Sequence, residues 1–516
     1  MAGSTLSASV GRAWRRFRRR PVWTQVTAAV VVVALVVVVV VAVAGSGGGG
    51  SKSSNPNVVA AATTAAPAQA TSTTQLFAQV DPSTRGVTPT SIDVVFPVAN
   101  LTALSDQIGF LGDPEFPQQA QAINFFVKQI NDAGGINGRQ IHADIVNYSP
   151  TNAAASRAEC KDWTEGSPGA FAVVDGLGTV ATDEQLCVTQ EGSTPLLSAW
   201  TTVTDWTTKG TPYLWWMGPD QAAILRALVS WGQGANLIGP GIKLGIVVSD
   251  QADDQAALNN YLLPDLRKVG VTDAVVQTIP GNPSDTASTD AQAPLVVQRL
   301  KAAGVQSLIP LIPFNAFRPE LQAQTSQQFF PKLLLSDYQS SINVGLGLLP
   351  PDGPYGNALG GQEGITAQTL GASDDARPQS QGGYNPGTRS CYDDWHRAFP
   401  QVPPGKTSSN LEAQGPVVGW CQAIRLFAAA ATKAGPNLNR RTFVQAMTQI
   451  QGFNGTWYPT LSYGPDKFYG PTQYEVVRLH TNDPKANACP LTYNGVPQGT
   501  CWQVVQTFQN LPGSGS

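Results

Sequence analysis

Apolar and polar residues alternate along the chain in two rhythms. Short apolar runs typical of buried strands lie at 92–98, 141–146, 170–174, 196–198, 244–248, 307–312 and 333–335. Residues 120–132 instead place an apolar side chain every three or four positions, which is the spacing of one helix face, and Gly134-Gly135 follows as a stop signal. Residues 222–231 and 294–303 also have a helical pattern. Strands that alternate with helices predict an α/β fold with parallel sheets covered by helices on both faces.

A much longer apolar run at 22–44 precedes this pattern. As a helix it would rise about 35 Å, enough to cross a hydrocarbon core of about 30 Å. Six arginines stand before it, at positions 12, 15, 16, 18, 19 and 20. The positive-inside rule therefore predicts a basic cytoplasmic tail at 1–21 and an N-terminal transmembrane helix, with the rest of the chain outside the cytoplasm. The alternative is a cleaved secretory signal, because Ala42-Val43-Ala44 has the form of a cleavage site.

Composition separates a linker from the folded part. Residues 45–78 are mostly Gly, Ser, Ala and Thr, a composition that buries too little apolar surface to fold, so we expect a disordered linker. The remaining chain is too long for one simple core and suits two lobes. Setting aside the six N-terminal arginines leaves 26 of the 32 basic residues against 35 acidic ones. This balance argues against a nucleic-acid partner, which requires a basic face.

The six cysteines all follow the apolar run, in a compartment where disulfides form. Fifteen connectivities are possible, and we expect each cysteine to pair with its neighbour in sequence. The expected pairs are Cys160–Cys187, Cys391–Cys421 and Cys489–Cys501. A zinc site is disfavoured because the chain has no C-x-x-C pair and only three histidines. We therefore expect neither a metal nor another cofactor.

Several runs resemble one protein family. Gly-Gly-Ile-Asn-Gly at 134–138 is the most specific, and 244–250, 331–340, 362–365, 415–435 and 453–455 follow in the same order. Together they are similar to type I periplasmic binding proteins, the Leu/Ile/Val-binding branch of ABC-transporter components. The resemblance implies two Rossmann-like lobes with parallel sheets, joined by three crossovers, that close over a small polar ligand. We assign 79–216 and 338–458 to the first lobe, 217–337 and 459–505 to the second, and 506–516 to a flexible tail.

The resemblance also implies a set of ligand-binding residues, at loops that follow strands. In the first lobe, Gly178 and Thr179 would meet a ligand carboxylate, with Trp200 and Thr202 from the next loop. In the second lobe, Asn315 or Phe317 would close on the ligand, and Asp337 would pair with its ammonium group. Each has a plainer interpretation: Thr179 as a turn or helix cap, Trp200 as a packing residue, Asp337 as a solvated loop acid.

Two positions depart from the family pattern. Leu111-Gly112-Asp113 and Asp253-Asp254-Gln255 stand where amino-acid binders carry an aromatic residue beside glycine. Asp254 would favour an amine-bearing or cationic ligand. The alternative is that Asp253 and Asp254 cap a helix that begins near Gln255.

These features predict an extracytoplasmic solute-binding protein that captures a small polar, amino-acid-like or amine-bearing ligand for an ABC transporter permease. We do not expect an enzyme, because G-x-S-x-G, P-loop, G-x-G-x-x-G and H-E-x-x-H motifs are absent from the sequence. A second possibility is a membrane-anchored sensing ectodomain that signals through a partner. That role would need a partner because the predicted cytoplasmic tail is too short to hold a folded domain.

Overall fold

The computed structural model describes most of the chain beyond the predicted linker. It covers residues 77–99, 116–149, 153–167, 169–199, 204–282, 285–343, 356–368, 385–400, 408–480, 492–493, 496–497 and 501–512. Within these residues, no helix combines the length and apolarity that a membrane crossing requires. The predicted tail at 1–21, the apolar run at 22–44 and all but the end of the linker lie outside them.

The first lobe is built on a five-stranded, wholly parallel sheet. Its spatial order is β2-β1-β3-β4-β5, with β1 (Ser91–Ala99), β2 (Gln140–Tyr148), β3 (Ala172–Asp175), β4 (Leu196–Ser198) and β5 (Leu214–Trp216). The helices between these strands are α1 (Phe116–Asp132), α2 (Ala153–Glu165), α3 (Thr182–Leu186) with a π-helical segment at Cys187–Glu191, and α4 (Thr204–Gly210). Strands β3, β4 and β5 are fully buried, as expected for a parallel sheet covered on both faces.

The second lobe is built on a seven-stranded mixed sheet. Its spatial order is β16-β13-β10-β9-β8-β6-β7, with β6 (Leu244–Ser249), β7 (Val275–Ile279), β8 (Ser307–Leu311), β9 (Lys332–Leu335), β10 (Glu363–Thr366), β13 (Gln473–His480) and β16 (Cys501–Asn510). Strands β13 and β16 run antiparallel to their neighbours, and the other five are parallel. The helices are α5 (Gln221–Gly234), α6 (Ala252–Ala256), a π-helical segment at Ala257–Leu262, α7 (Leu263–Lys268), α8 (Thr286–Ala302), α9 (Phe314–Ser326) and α10 (Gly356–Leu359).

After β10 the chain returns to the first lobe. It forms α11 (Pro386–Ala398), α12 (Ser408–Ala434) and α13 (Arg440–Met447), and α12 packs against α1 and β3. A hairpin of β11 (Phe453–Asn454) and β12 (Thr460–Leu461) then leads back to β13, and β14 (Thr492–Tyr493) pairs with β15 (Val496–Pro497). The chain thus passes between the lobes three times. This architecture confirms the predicted α/β fold with parallel sheets.

Two predicted boundaries differ from the structure. Strand β10 was assigned to the first lobe, but it pairs with β9 and β13 in the second sheet. Residues 506–510 were assigned to a flexible tail, but they belong to β16, which pairs with β13. Both strands are hard to detect by pattern: β10 has only four residues, and β16 carries glutamines between its apolar positions because it lies at the sheet edge.

The structure confirms two of the three predicted disulfides. Cys160 pairs with Cys187, joining α2 to the π-helical segment after α3, and Cys391 pairs with Cys421, joining α11 to α12. Both pairs therefore tie helices of the first lobe. The third pair includes Cys489, which lies outside the described residues, so Cys489–Cys501 stays a prediction.

Candidate ligand-binding site

The loop after β3 is shaped by a buried carboxylate. Asp175 has no exposed surface, and its Oδ1 and Oδ2 accept hydrogen bonds from the backbone N–H groups of Thr179 (3.0 Å) and Val180 (2.9 Å). Gly178 completes the turn at φ +67°, in the left-handed region that favours glycine. Burial raises the pKa of Asp175 to about 6, although these N–H donors oppose the rise. Asp175 therefore organises the loop and is not itself presented to a ligand.

The Thr179 side chain keeps its hydrogen-bonding capacity. Its hydroxyl oxygen is buried and has no hydrogen-bond partner among the described residues. The helix-cap interpretation does not hold, because the N-cap residue of α3 is Ala181. A buried hydroxyl without a partner costs about 1–3 kcal/mol, so a ligand group that bonds to it would be favoured. Gly178 and Thr179 thus lie together in a loop that can receive a polar atom.

Two tryptophans lie next to this loop, and sequence reasoning did not single them out. A Cβ added to Gly176 would lie 2.4 Å from the ring of Trp420, so only glycine lets the loop approach that ring. A Cβ added to Gly419 would lie 2.8 Å from Leu177 and 2.9 Å from the Trp457 ring. Trp457 stands in the third crossover and places an indole beside the Thr179 loop. Its position just after the family-like run at 453–455 was the available signal.

In the second lobe, Asp254 lies inside a network of side chains. It has no exposed surface; its Oδ1 accepts hydrogen bonds from Tyr338 Oη (2.5 Å) and Gln339 Nε2 (2.8 Å), and its Oδ2 accepts one from Ser249 Oγ. Burial, and secondly the neighbouring carboxylate of Asp253, raise the pKa of Asp254. Neither aspartate caps the helix, because α6 begins at Ala252 with Gln251 as its N-cap. Asp254 joins the loop after β6 to the loop after β9.

Asp337 is also bonded on both carboxylate oxygens. Its Oδ1 accepts from Thr366 Oγ1 (2.6 Å) and Gln368 Nε2 (2.9 Å), and its Oδ2 accepts from Ala367 N (2.7 Å). Only 5% of the residue is exposed, so it is not a solvated loop acid. Burial raises the pKa of Asp337 to about 6. The carboxylate holds three consecutive residues where the chain leaves β10 for the second crossover.

The first turn of α9, which follows β8, contains the remaining second-lobe candidates. Asn315 is 7% exposed, and its Nδ2 donates to the Gly281 carbonyl at 3.3 Å. Phe317 has no exposed surface and packs in the core of the second lobe. Phe317 therefore contributes to this core, and its contact with a ligand stays a prediction.

A contact between the lobes was not anticipated. Asp205, in the first turn of α4, accepts hydrogen bonds from Tyr261 Oη (2.7 Å) and Asn260 Nδ2 (2.9 Å) of the second lobe. The sequence shows only an acid at a helix start, which has no distinctive signal. Trp200 and Thr202, which immediately precede α4, lie outside the described residues, as does the departure at Leu111-Gly112-Asp113.

These loops all lie at the carboxyl ends of parallel strands, the edge at which open α/β sheets bind ligands. A model of the periplasmic binding protein family matches residues 98–482. The chain belongs to this family. No curated protein sequence matches the chain.

Solved structures with a similar fold are substrate-binding proteins of ABC transporters. A protein from Desulfitobacterium hafniense in complex with Leu is 14% identical, with a TM-score of 0.51, and the match covers 75% of this chain and 97% of that one. A fatty acid ABC transporter substrate-binding protein from Thermomonospora curvata is 17% identical, with a TM-score of 0.55 and coverage of 83% and 95%. A solute-binding protein from Rhodopseudomonas palustris BisB5 in complex with 3,4-dihydroxy benzoic acid is 14% identical, with a TM-score of 0.56 and coverage of 83% and 99%. At these identities the likeness establishes the fold.

Family membership confirms the resemblance to leucine/isoleucine/valine-binding-type proteins. Such proteins are the substrate-binding components of ABC transporters. They bind small molecules and contact the other transporter components. The family also implies that the protein works outside the cytoplasm.

Proposed function

We propose that this substrate-binding protein captures a small organic carboxylate between its lobes and delivers it to the permease of an ABC importer. The observation that carries the proposal is the Thr179 hydroxyl, buried in the loop after β3 without a partner among the described residues. A hydroxyl donates well to an ionised carboxylate, because charge-assisted hydrogen bonds are the strong ones. Leu and 3,4-dihydroxy benzoic acid, named with two similar structures, both carry a carboxyl group.

The second lobe favours a carboxylate ligand over an amine-bearing ligand. Asp337, which the resemblance offered to an ammonium group, and Asp254, which departs from the family pattern, already accept hydrogen bonds on both oxygens from the protein. Each carboxylate accepts three hydrogen bonds and is almost fully buried, so little of its acceptor capacity is accessible to an amine. The amine-bearing ligand therefore has weaker support than an acid, and amino-acid transport follows only if another group meets the ammonium.

The rest of the proposed site completes a cleft. We expect Gly178, Trp200 and Thr202 to contribute from the first lobe and Asn315 from the second. A ligand that touches both lobes binds the closed arrangement more tightly than the open one, and this difference drives closure.

A thermal-shift panel on the full-length protein tests the ligand class. The panel should contain 4-hydroxybenzoate, 3,4-dihydroxybenzoate, leucine, dodecanoate and the amine putrescine. A ligand at 100 times its dissociation constant stabilises the protein by about 2.7 kcal/mol. We expect one of the acids to do so and putrescine to do nothing. Binding of putrescine alone would contradict the proposal.

A matched pair of variants then tests the site. Thr179→Val removes the hydroxyl and keeps the side-chain shape. It should weaken binding of the acid ligand by about 1–3 kcal/mol, or roughly 5- to 150-fold in the dissociation constant. Thr179→Ser keeps the hydroxyl and should bind within a few-fold of the wild type. Equal affinity for both variants would show that the ligand is held elsewhere.

We also propose that the apolar run at 22–44 anchors the protein, with the folded part outside the cell membrane. Its length and the preceding arginines support a retained span. The protein should then stay with membranes after a high-salt wash and keep its N-terminal arginines. A mature N-terminus at Gly45 would instead identify the run as a cleaved signal.

A further inference from the structure

One side-chain carboxylate joins the two lobes directly. Helix α4 belongs to the first lobe, where it packs on α3, whereas the segment Ala257–Leu262 packs on α5, α6 and α7 of the second lobe. Asp205 Oδ1 accepts a hydrogen bond from Tyr261 Oη at 2.7 Å, and Asp205 Oδ2 accepts one from Asn260 Nδ2 at 2.9 Å. Both oxygens of one first-lobe carboxylate therefore bind donors of the second lobe.

The neighbouring residue fixes where this contact forms. Thr204 Oγ1 donates to Asp220 Oδ2 at 2.8 Å, and Asp220 Oδ1 caps α5 by accepting from Ala223 N at 2.9 Å. Asp220 lies directly after the first crossover, so Thr204 ties the start of α4 to the point about which the lobes can turn. Asp205 follows Thr204 and carries the contact away from that point, toward the second-lobe segment.

We propose that Asp205 is an interlobe latch, a positioning residue whose bonds to Tyr261 and Asn260 favour the arrangement of the lobes that binds ligand. The consequence for affinity rests on the proposed function; the latch itself does not. The bonds exist only when α4 and the segment at 257–262 are adjacent. They therefore add to the stability of that arrangement and of no other, which is the condition for shifting a two-state equilibrium.

The chemistry suits a reversible contact. Asp205 and Tyr261 are half-buried and Asn260 is exposed, so water can take over these hydrogen bonds when the lobes separate. Hydrogen bonds from neutral donors to a carboxylate are stronger than those between two neutral groups. Because Asp205 is only half-buried, its charge returns to water when the contact opens. Opposing it, Asp183 of the first lobe and Asp253 of the second are close enough for the charge of Asp183 to raise the pKa of Asp253, after the larger effect of burial.

Hydrogen–deuterium exchange on the ligand-free, full-length protein tests the latch without a ligand. Asp205→Ala and Tyr261→Phe should each raise the exchange of residues 204–210 and 257–262. Asp162→Ala is the matched control, because Asp162 is an exposed first-lobe acid on α2 with no bond to the second lobe among the described residues. Its exchange in both segments should equal that of the wild type. Unchanged exchange at 257–262 in Asp205→Ala would overturn the proposal.

Binding of 4-hydroxybenzoate tests the consequence. Each latch variant should weaken it about three- to tenfold, and the double variant should be no weaker than Asp205→Ala alone within about twofold, since both changes remove the same bond. If the losses of affinity in the two single variants instead multiply in the double variant, Asp205 and Tyr261 do not act through a shared bond. If the wild type does not bind 4-hydroxybenzoate, the other acids of the thermal-shift panel decide the ligand class, and the exchange data still decide the latch. If Asp205→Ala fails to fold, Tyr261→Phe, which removes one oxygen, carries both measurements.

Discussion

The two lobes use buried carboxylates at the ends of their strands differently. In the first lobe, the two shortest bonds of Asp175 come from backbone N–H groups four and five residues ahead, with a longer one (3.4 Å) from Ser198 Oγ of the next strand, so Asp175 mainly shapes one loop. In the second lobe, Asp254 bonds to Tyr338 and Gln339, 84 and 85 residues away, and Asp337 bonds to residues 29 to 31 positions away. The first arrangement leaves the neighbouring Thr179 hydroxyl available to a ligand. In the second, Asp254 and Asp337 join loops to one another, and their carboxylates are bonded to the protein.

This difference explains which site predictions survive as candidates. The resemblance proposed Thr179 as a hydroxyl beside a glycine turn after a strand, and the geometry of that loop depends mostly on residues within it. Asp254 and Asp337 were proposed as countercharges, and their roles depend on residues brought near only by the whole fold. A sequence shows where an acid stands relative to a strand, but not whether distant donors already occupy its oxygens.

The largest expected effect comes from Phe317→Ala, which breaks the second lobe if its ring is part of the core. Removing a fully buried phenylalanine should lower the unfolding free energy by about 3–5 kcal/mol. Denaturant unfolding measures this loss. Phe330→Ala is the matched control, because Phe330 lies in the same lobe and is 46% exposed, and it should stay within about 0.5 kcal/mol of the wild type. A stable Phe317→Ala variant with weakened acid binding would instead support Phe317 as a ligand contact.

The fold was predictable because its signals are periodic. The buried runs at 244–248 and 307–312 became β6 and β8, and the helix predicted at 120–132 ends at Asp132 as expected. The helix predicted at 294–303 instead begins at Thr286, with Asp285 accepting from Ser288 N as its cap and Pro294 inside. Pro294 suggested a helix start, because proline is favoured at the first turn of a helix. The helix instead continues past Pro294, with buried residues on both sides of it. Contacts such as Asp205–Tyr261 have no periodic signal, so the sequence could not indicate them.

A smaller effect should follow from Glu320→Gln, which tests a second-lobe acid with no proposed ligand role. Glu320 has no exposed surface; Gln324 Nε2 donates to its Oε1, and its Oε2 has no partner among the described residues. Burial raises the pKa of Glu320 from 4.5 to about 7. Because the folded-state pKa is the higher one, the stabilising contribution is complete below about pH 4.5 and is lost as the pH rises through about 7.

Glutamine keeps the shape of Glu320 and cannot ionise, so the variant should be more stable than the wild type at pH 8 by about 1–3 kcal/mol. At pH 4.5 the two proteins should be nearly equal. Denaturant unfolding at both pH values measures the difference. Glu165→Gln, at an exposed first-lobe carboxylate, should show no such dependence. A Glu320→Gln variant less stable at both pH values would mean that the carboxylate is ionised and paired in the folded protein.

The smallest effect concerns the acids that face each other from the two lobes. Asp183, exposed on α3, contributes to the raised pKa of Asp253, which follows β6, so the pair opposes the contact that Asp205 makes. Asp183→Asn should relieve this repulsion and raise the melting temperature by about 1 °C or less in dilute buffer, because exposed charges interact weakly. At about 1 M salt, where the Debye length is about 3 Å, the gain should vanish. Asp144→Asn, at an exposed acid of the same lobe, should give no gain at either salt concentration. A gain from Asp183→Asn that persists in high salt would point to a helix-terminal or packing effect. Repulsion between Asp183 and Asp253 would then not oppose the contact between the lobes.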